Sequence, residues 1–405
     1  MKKIIPLLLI ICLLLPSCQI KNKNIVVPEK PTTEQLRNNT PELRGIWISC
    51  YDHINASGKS RDEYKLETDK MFKTINEYGF NAAFVHLRAF SDAFYQSELY
   101  PYSSFIAGTE GGEIPFDPFE VMLESAAEHG ISVHGWINPF RISSKNDISF
   151  ISDNNPAKQI FESGNKNGEI CILENGIYYN PSLAENHKMI IDGVREIISK
   201  YDIDGIHIDD YFYPSTDEII DKKQYDDYIS EGGTLSLSDW RKLNVNAFVS
   251  ALYSAVKSEN SNLIMSISPS AKFDENETKL YADVKLWLMQ KGYADLIIPQ
   301  IYFGFEHETL SFDNLLNQWS SLERDNSVSL ACGLAAYKCG TADEYAGIGE
   351  NEWIENSDTL SKQLISIRKN NDVSGFVVFS YNDLTRENCK TDLTQFKNTV
   401  NTGNK

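Results

Sequence analysis

Basic residues are in short supply in this sequence. Its 405 residues carry 38 Lys and Arg against 57 Asp and Glu, a formal net charge of −19. No basic stripe runs through them that could follow a phosphate backbone, which argues against nucleic acid as a partner. The excess of acid favours a neutral or cationic ligand, although most such charge is simply solvated surface. Several motifs are missing as well. There is no Gly-rich phosphate loop and no GxSxG, and the seven histidines show no HExxH spacing. No metal and no cofactor is therefore expected. His86, His134 and His207 fall on three different expected strands, which leaves a metal-dependent deacetylase-like enzyme as an alternative; it would need His and Asp side chains converging on one ion.

Cysteine is also scarce. Setting aside Cys12 and Cys18 near the N-terminus, five remain: Cys50, Cys171, Cys332, Cys339 and Cys389. An odd number cannot all pair, the spacing fits no zinc site, and Cys50 and Cys332 lie in apolar runs. Buried free thiols are expected rather than a disulfide framework, with Cys332 and Cys339 the one pair that invites a bridge.

What is present is a globular composition, 41% hydrophobic and 11% aromatic. The chain begins with Lys2 and Lys3, then an apolar run to Leu15 that is too short to span a bilayer, then Pro16-Ser17-Cys18. Leu15-Pro16-Ser17-Cys18 resembles a bacterial lipobox. Residues 1–17 then form a lipoprotein signal peptide, Cys18 is the lipid attachment site, and the polar stretch 18–41 is a tether. The remainder, residues 42–400, is expected to sit in the bacterial cell envelope, held to the membrane only through the N-terminal lipid.

From Leu43 onward, short β-branched and aromatic runs alternate with amphipathic helical patterns. Eight strands are expected: 44–50, 81–88, 132–138, 205–210, 263–268, 296–302, 329–334 and 375–381. Between them lie helical stretches at 63–78, 118–128, 185–201, 239–258, 278–291, 312–322 and 357–369, and a last helix is expected over 384–400. Helix stops such as Tyr78-Gly79-Phe80-Asn81 and His129-Gly130-Ile131-Ser132 turn directly into strands. The expected fold is a (β/α)8 TIM barrel with long loops at its C-terminal face; an open doubly wound sheet is the alternative. The segment after the third strand includes an expected hairpin around Asn175-Gly176.

The strongest chemical signal lies at the fourth strand, Asp204-Gly205-Ile206-His207-Ile208-Asp209-Asp210-Tyr211. Strand side chains alternate, so Ile206 and Ile208 face the helices while His207, Asp209 and Tyr211 face the barrel mouth. Adjacent carboxylates at a strand end suit glycosidic chemistry, so Asp209 is the expected principal carboxylate and Asp210 its neighbour. The expected substrate-binding residues are Arg88, Asp92, Trp136, Asn138, Arg141, His207, Gln300, Tyr302 and Tyr381. Aromatic rings stack on sugar faces, and the polar groups bind hydroxyls. Candidates for the general acid are Asp92, Asp274, Glu275, Glu306 and Asp383. Arg241, opening the helix after the fourth strand, is either a partner of a site carboxylate or a surface cation.

Leu43-Arg44-Gly45-Ile46-Trp47, His86-Leu87-Arg88, Gly135-Trp136-Ile137-Asn138-Pro139, residues 204–214, Asp239-Trp240-Arg241 and Pro299-Gln300-Ile301-Tyr302 stand in an order that resembles the glycosyl-hydrolase-like 10 family. The resemblance implies a (β/α)8 barrel in a bacterial envelope lipoprotein, and cleavage of a polysaccharide such as peptidoglycan glycan strands. The fourth strand is also similar to the Asp-Gly-x-Arg-x-Asp motif of α-amylase and α-galactosidase barrels, whose last Asp is the nucleophile. That position falls on Asp209, His207 stands where the motif has Arg, and no Glu follows directly on the fifth strand. A non-catalytic glycan-binding lipoprotein on the same scaffold is the rival from another class.

Overall fold

A computed structural model describes residues 42–402; the expected signal segment, Cys18 and the expected tether lie outside the described residues. The expected strands all form: Leu43–Ile48, Ala82–Arg88, Ser132–Ile137, Gly205–Ile208, Ile264–Ile267, Leu296–Ile297, a seventh in two pieces (Ser329–Leu330 and Cys332–Ala335), and Gly375–Phe379. All pair in parallel, and the first strand pairs with both the second and the eighth. The seventh breaks at Ala331, so its first piece pairs with the sixth strand and its second piece with the eighth. A Gln300–Gly333 bridge spans the gap. The sheet therefore wraps into a (β/α)8 barrel, and the open sheet is excluded.

Two-residue periodicity sorts the side chains. Trp47, Phe84, Trp136, Ile264, Leu296 and Val377 fill the interior as one cluster. Ile46, Ile48, Val85, Ile206 and Ile208 join the larger cluster between sheet and helices. Gly205 is required by this packing: a Cβ there would come within 2.4 Å of both His134 Nδ1 and the Ile264 carbonyl. The His134 ring instead stacks on Phe84, centroids 4.6 Å apart.

Most helices start and stop within two residues of expectation. Arg61–Glu77 is opened by a reciprocal Ser60–Glu63 capping box, and Pro118–Glu128 by Asp117. Three boundaries differ. The helix after the fourth strand begins at Leu237, capped by Ser236, ahead of the expected start at 239. The helix expected over 278–291 is two short ones, Phe273–Thr278 and Val284–Met289, because Tyr281 takes a positive φ of 53° and Asp283 caps a fresh start. The last helix begins only at Lys390, since 3₁₀ turns occupy Tyr381–Thr385 and Glu387–Cys389. The five described cysteines are buried free thiols, Cys332 and Cys339 included.

The two longest excursions at the C-terminal face shape the site. After the third strand, Arg141–Ser143, Ile170–Leu173 and Gly176–Tyr179 form a small antiparallel sheet that contains the expected hairpin. Gly176 sits at φ 144°, and a Cβ there would approach the Ser143 carbonyl to 2.4 Å. The loop after the fourth strand is pinned from below. Arg241 donates to both oxygens of Asp221, at 2.8 and 2.6 Å, and both side chains are fully buried. It donates also to the carbonyls of Thr216 and Asp217 and to the Tyr281 hydroxyl. Arg241 is thus neither a partner of the site carboxylates nor a surface cation; it is an internal clamp on the loop that carries the cleft wall.

Candidate active site

At the C-terminal mouth of the barrel lies an open cleft of about 530 Å³. Seven of the eleven expected catalytic and substrate-binding residues line it: Asp209, Asp210, Trp136, Asn138, Arg141, Gln300 and Tyr302. Parity explains the first pair. Asp209 continues the inward face of the fourth strand, and Asp210 follows where the strand has ended, so the chain turns it into the cleft as well.

The other four are placed elsewhere. His207 lies inside the barrel beneath the floor, fully buried. Trp47 Nε1 donates to its Nε2 at 3.1 Å, so the neutral ring carries its proton on Nδ1, 2.8 Å from Ser266 Oγ; Ser268 Oγ also reaches Nε2. Burial holds this imidazole well below its ordinary pKa. His207 therefore braces Trp47 and does not face a ligand. Arg88 is diverted by a bulge between His86 and Arg88; its guanidinium donates to the carbonyls of Asn138 and Pro139 and lies 4.9 Å from the Tyr100 ring. Asp92 folds back onto the backbone N–H of Phe90, buried away from the cleft, and burial raises its carboxyl to about 6. Tyr381 leaves the strand because Ser380 and Asp383 form a capping box that starts a 3₁₀ turn, and it packs toward Thr74 outside the barrel.

The electrostatics centre on the carboxylate pair. Asp209 is 4% exposed, and its Oδ1 has no hydrogen-bond partner. Burial, then the neighbouring Asp210, push its carboxyl well above the usual range, and Arg141 pulls the other way. Burial raises Asp210 to about 6 against the Gln300 amide beside it. The two titrate as a pair, and burial pushes both toward the protonated form. Arg141 is thus a cation whose charge reaches Asp209 from the cleft lining. Its guanidinium is held between the rings of Phe90 and Tyr211, at 4.8 and 4.7 Å.

No general-acid candidate lines the cleft. Asp274 and Glu306 are exposed, Glu275 is tied to Ser270, Lys272 and Lys279, and Asp383 to Ser380 and Arg386. Among the described residues, no three His, Cys, Asp or Glu side chains gather where a metal ion could be held. The His86 ring instead stacks on Trp136, centroids 3.7 Å apart.

Apolar rings dominate the walls. Trp47 and Tyr302 meet edge to face at 6.4 Å, and Phe379 packs on both, at 6.2 and 6.1 Å. Tyr337 and Tyr178 extend this surface. Tyr51, Asn175, Tyr178 and Phe379 were not among the expected site residues. Phe379 was within reach, since it shares the parity of the interior residue Val377; the hairpin pair was not, because nothing local in a hairpin shows which way it folds over a barrel.

Two measurements follow from this geometry. Trp136→Ala is expected to weaken glycan binding by about tenfold, the worth of roughly 1.4 kcal/mol of ring contact, as read by isothermal calorimetry. Asp209→Asn is expected to raise the melting temperature at pH 7.5. Folding raises the pKa of this carboxyl, so it costs stability above its unfolded pKa of about 3.9. The amide removes that cost, and its advantage should shrink as the pH falls toward 4.

Known proteins place this architecture. The chain is 30% identical over 367 residues to glycosyl hydrolase YngK of Bacillus subtilis, covering 85% of this chain and 69% of that protein. It is 26% identical over 419 residues to glycosyl hydrolase DigH of Escherichia coli, covering 92% and 91%. In three dimensions it superposes on the PgaB glycoside hydrolase domain of Bordetella bronchiseptica with a TM-score of 0.56 at 11% identity, over 87% of this chain and 98% of that one, a likeness of fold. The family model for glycosyl hydrolase-like 10 matches residues 42–353, from the first strand to beyond the seventh. The chain belongs to the glycosyl hydrolase-like 10 family.

Proposed function

We propose that the protein is a glycoside hydrolase that cuts an extended polysaccharide, with peptidoglycan glycan strands as the candidate substrate, and that it is anchored by lipid at Cys18 in the bacterial cell envelope. The observation that carries this reading is the Asp209–Asp210 pair, two buried carboxyls that burial biases toward the protonated form, in an open cleft lined also by Arg141 and walled by Trp47, Trp136, Tyr302 and Phe379. An acid that still holds its proton near neutrality is what a leaving glycosidic oxygen requires. Open aromatic walls suit a chain that runs through rather than a sugar that is enclosed.

The test is product release, followed by mass spectrometry, from purified glycan strands and a polysaccharide panel. Oligosaccharides from the wild-type protein are expected. A second reading, a barrel that binds glycan without cutting it, is favoured by the cleft having, among the described residues, no carboxylate beyond the adjacent Asp209–Asp210 pair; retention of glycan with no product would establish it. For the anchor, Cys18→Ser is expected to abolish labelling by a radioactive fatty acid and to release the protein from the membrane fraction. Labelling that persists in the variant would move the attachment elsewhere.

A further inference from the structure

Resting on the hydrolase reading, we infer that the nucleophile is not a protein group but the carbonyl oxygen of a 2-acetamido substituent on the substrate, with Asp210 as the acid and base and Asp209 as the acceptor that orients the acetamide. The geometry points there for three reasons. First, Asp209 and Asp210 are the only carboxylates that line the cleft among the described residues. They are chain neighbours, with Cα atoms about 3.8 Å apart. A carboxylate nucleophile and its acid must flank the scissile bond, and an inverting pair must stand on opposite faces of the sugar, about 6.5–9.5 Å apart. Anchored to neighbouring backbone positions at one strand end, the two start from the same side of the cleft, and no carboxylate among the described residues lines its other side to serve as nucleophile.

Second, the deeper carboxylate is poised to accept rather than to attack. Asp209 Oδ1 is buried and lacks a partner, which is costly unless a bound donor supplies one. An acetamide N–H is such a donor. Once it occupies Oδ1, the proton of the dyad resides on Asp210, where an acid needs it. Third, the surroundings suit the rest of the group. Trp47, Tyr302 and Phe379 form an apolar wall for the methyl, and the indole N–H of Trp136 is a buried donor with no partner.

The chemistry balances without any further reagent. The acetamide oxygen attacks the anomeric carbon and its electron pair forms the new C–O bond. The glycosidic C–O bond breaks, and its electrons go to the leaving oxygen, which takes the Asp210 proton. The amide N–H proton of the resulting oxazolinium ion is held or taken up by Asp209. Water then attacks the same carbon, gives its proton to Asp210, and the ring C–O bond returns its electrons to the acetamide, whose nitrogen regains its proton from Asp209. Two displacements leave the configuration retained.

Three glycan preparations and one probe test this. Wild-type protein is given N-acetylated strands, the same strands after chemical de-N-acetylation, and the latter re-acetylated; the probe is the thiazoline of N-acetylglucosamine. Expected are retention of configuration by proton NMR, at least about 10³-fold slower cleavage after de-N-acetylation with recovery on re-acetylation, and competitive inhibition by the thiazoline. Asp209→Asn should lower kcat by about 10²–10³-fold and weaken thiazoline binding in parallel, a link that a merely structural role would not produce. Cleavage with inversion, indifference to the N-acetyl group, or a glycosyl adduct trapped on Asp209 would overturn the inference while leaving the hydrolase intact. Silence on every preparation would instead overturn the hydrolase reading on which it rests.

Discussion

Replacing Asp210 with Asn is expected to lower kcat on native glycan by about 10³-fold, roughly 4 kcal/mol of barrier, and to change the pH profile as well as the rate. In the wild-type protein Asp210 titrates at about 6, raised by burial. The acid form of the pair is the working one and burial raises Asp209 further still, so kcat/KM should fall as pH rises past the point where the pair gives up its last proton. The amide has no proton to lose, and the alkaline limb should vanish from whatever activity remains. An activated aryl glycoside, whose leaving group needs no protonation, should suffer far less than the natural substrate. Equal losses on both substrates, with the limb still present, would take the acid role away from Asp210.

The second large effect is on stability. Arg241 and Asp221 are both wholly buried and joined by two hydrogen bonds, and Arg241 has three further acceptors. Truncating one partner strands the other charge in a medium that cannot solvate it. Arg241→Met is therefore expected to cost about 3–5 kcal/mol in urea unfolding. The double variant Arg241→Met, Asp221→Leu should recover a large part of that loss, because it removes the stranded charge. A loss in the double variant equal to that of the single one would mean that the backbone acceptors, not the ion pair, carry the clamp.

The barrel was legible because its signals are local and repeated. Alternation set His207 and Asp209 on the inward face of the fourth strand and Ile206 and Ile208 on the outward one, and helix stops marked where several strands begin. The carboxylate pair was legible for the same reason: a strand ends there, and parity aims it. What escaped were positions where a regular element changes course. A bulge took Arg88 off its expected heading, a capping box swung Tyr381 outward, and a positive φ at Tyr281 split one helix in two. His207 failed differently. Its direction was right but its depth was not, since alternation tells which way a side chain points and not how far below the rim it sits. The hairpin was expected as a hairpin, yet the descent of Tyr178 into the cleft depends on how the excursion folds over the mouth, which no short-range pattern encodes.

The brace under Trp47 has a consequence for redesign. Its single donor is committed to His207, so from above the indole offers only carbon and hydrogen. A floor of this kind grips any sugar of suitable shape and cannot tell an axial from an equatorial hydroxyl. Discrimination must then come from the polar groups around it, Asp209, Asp210, Asn138 and Gln300, together with the hairpin bearing Asn175 and Tyr178 and the guanidinium of Arg141. A designer who wished to redirect the protein to another polymer would exchange residues 141–179 and leave the floor untouched.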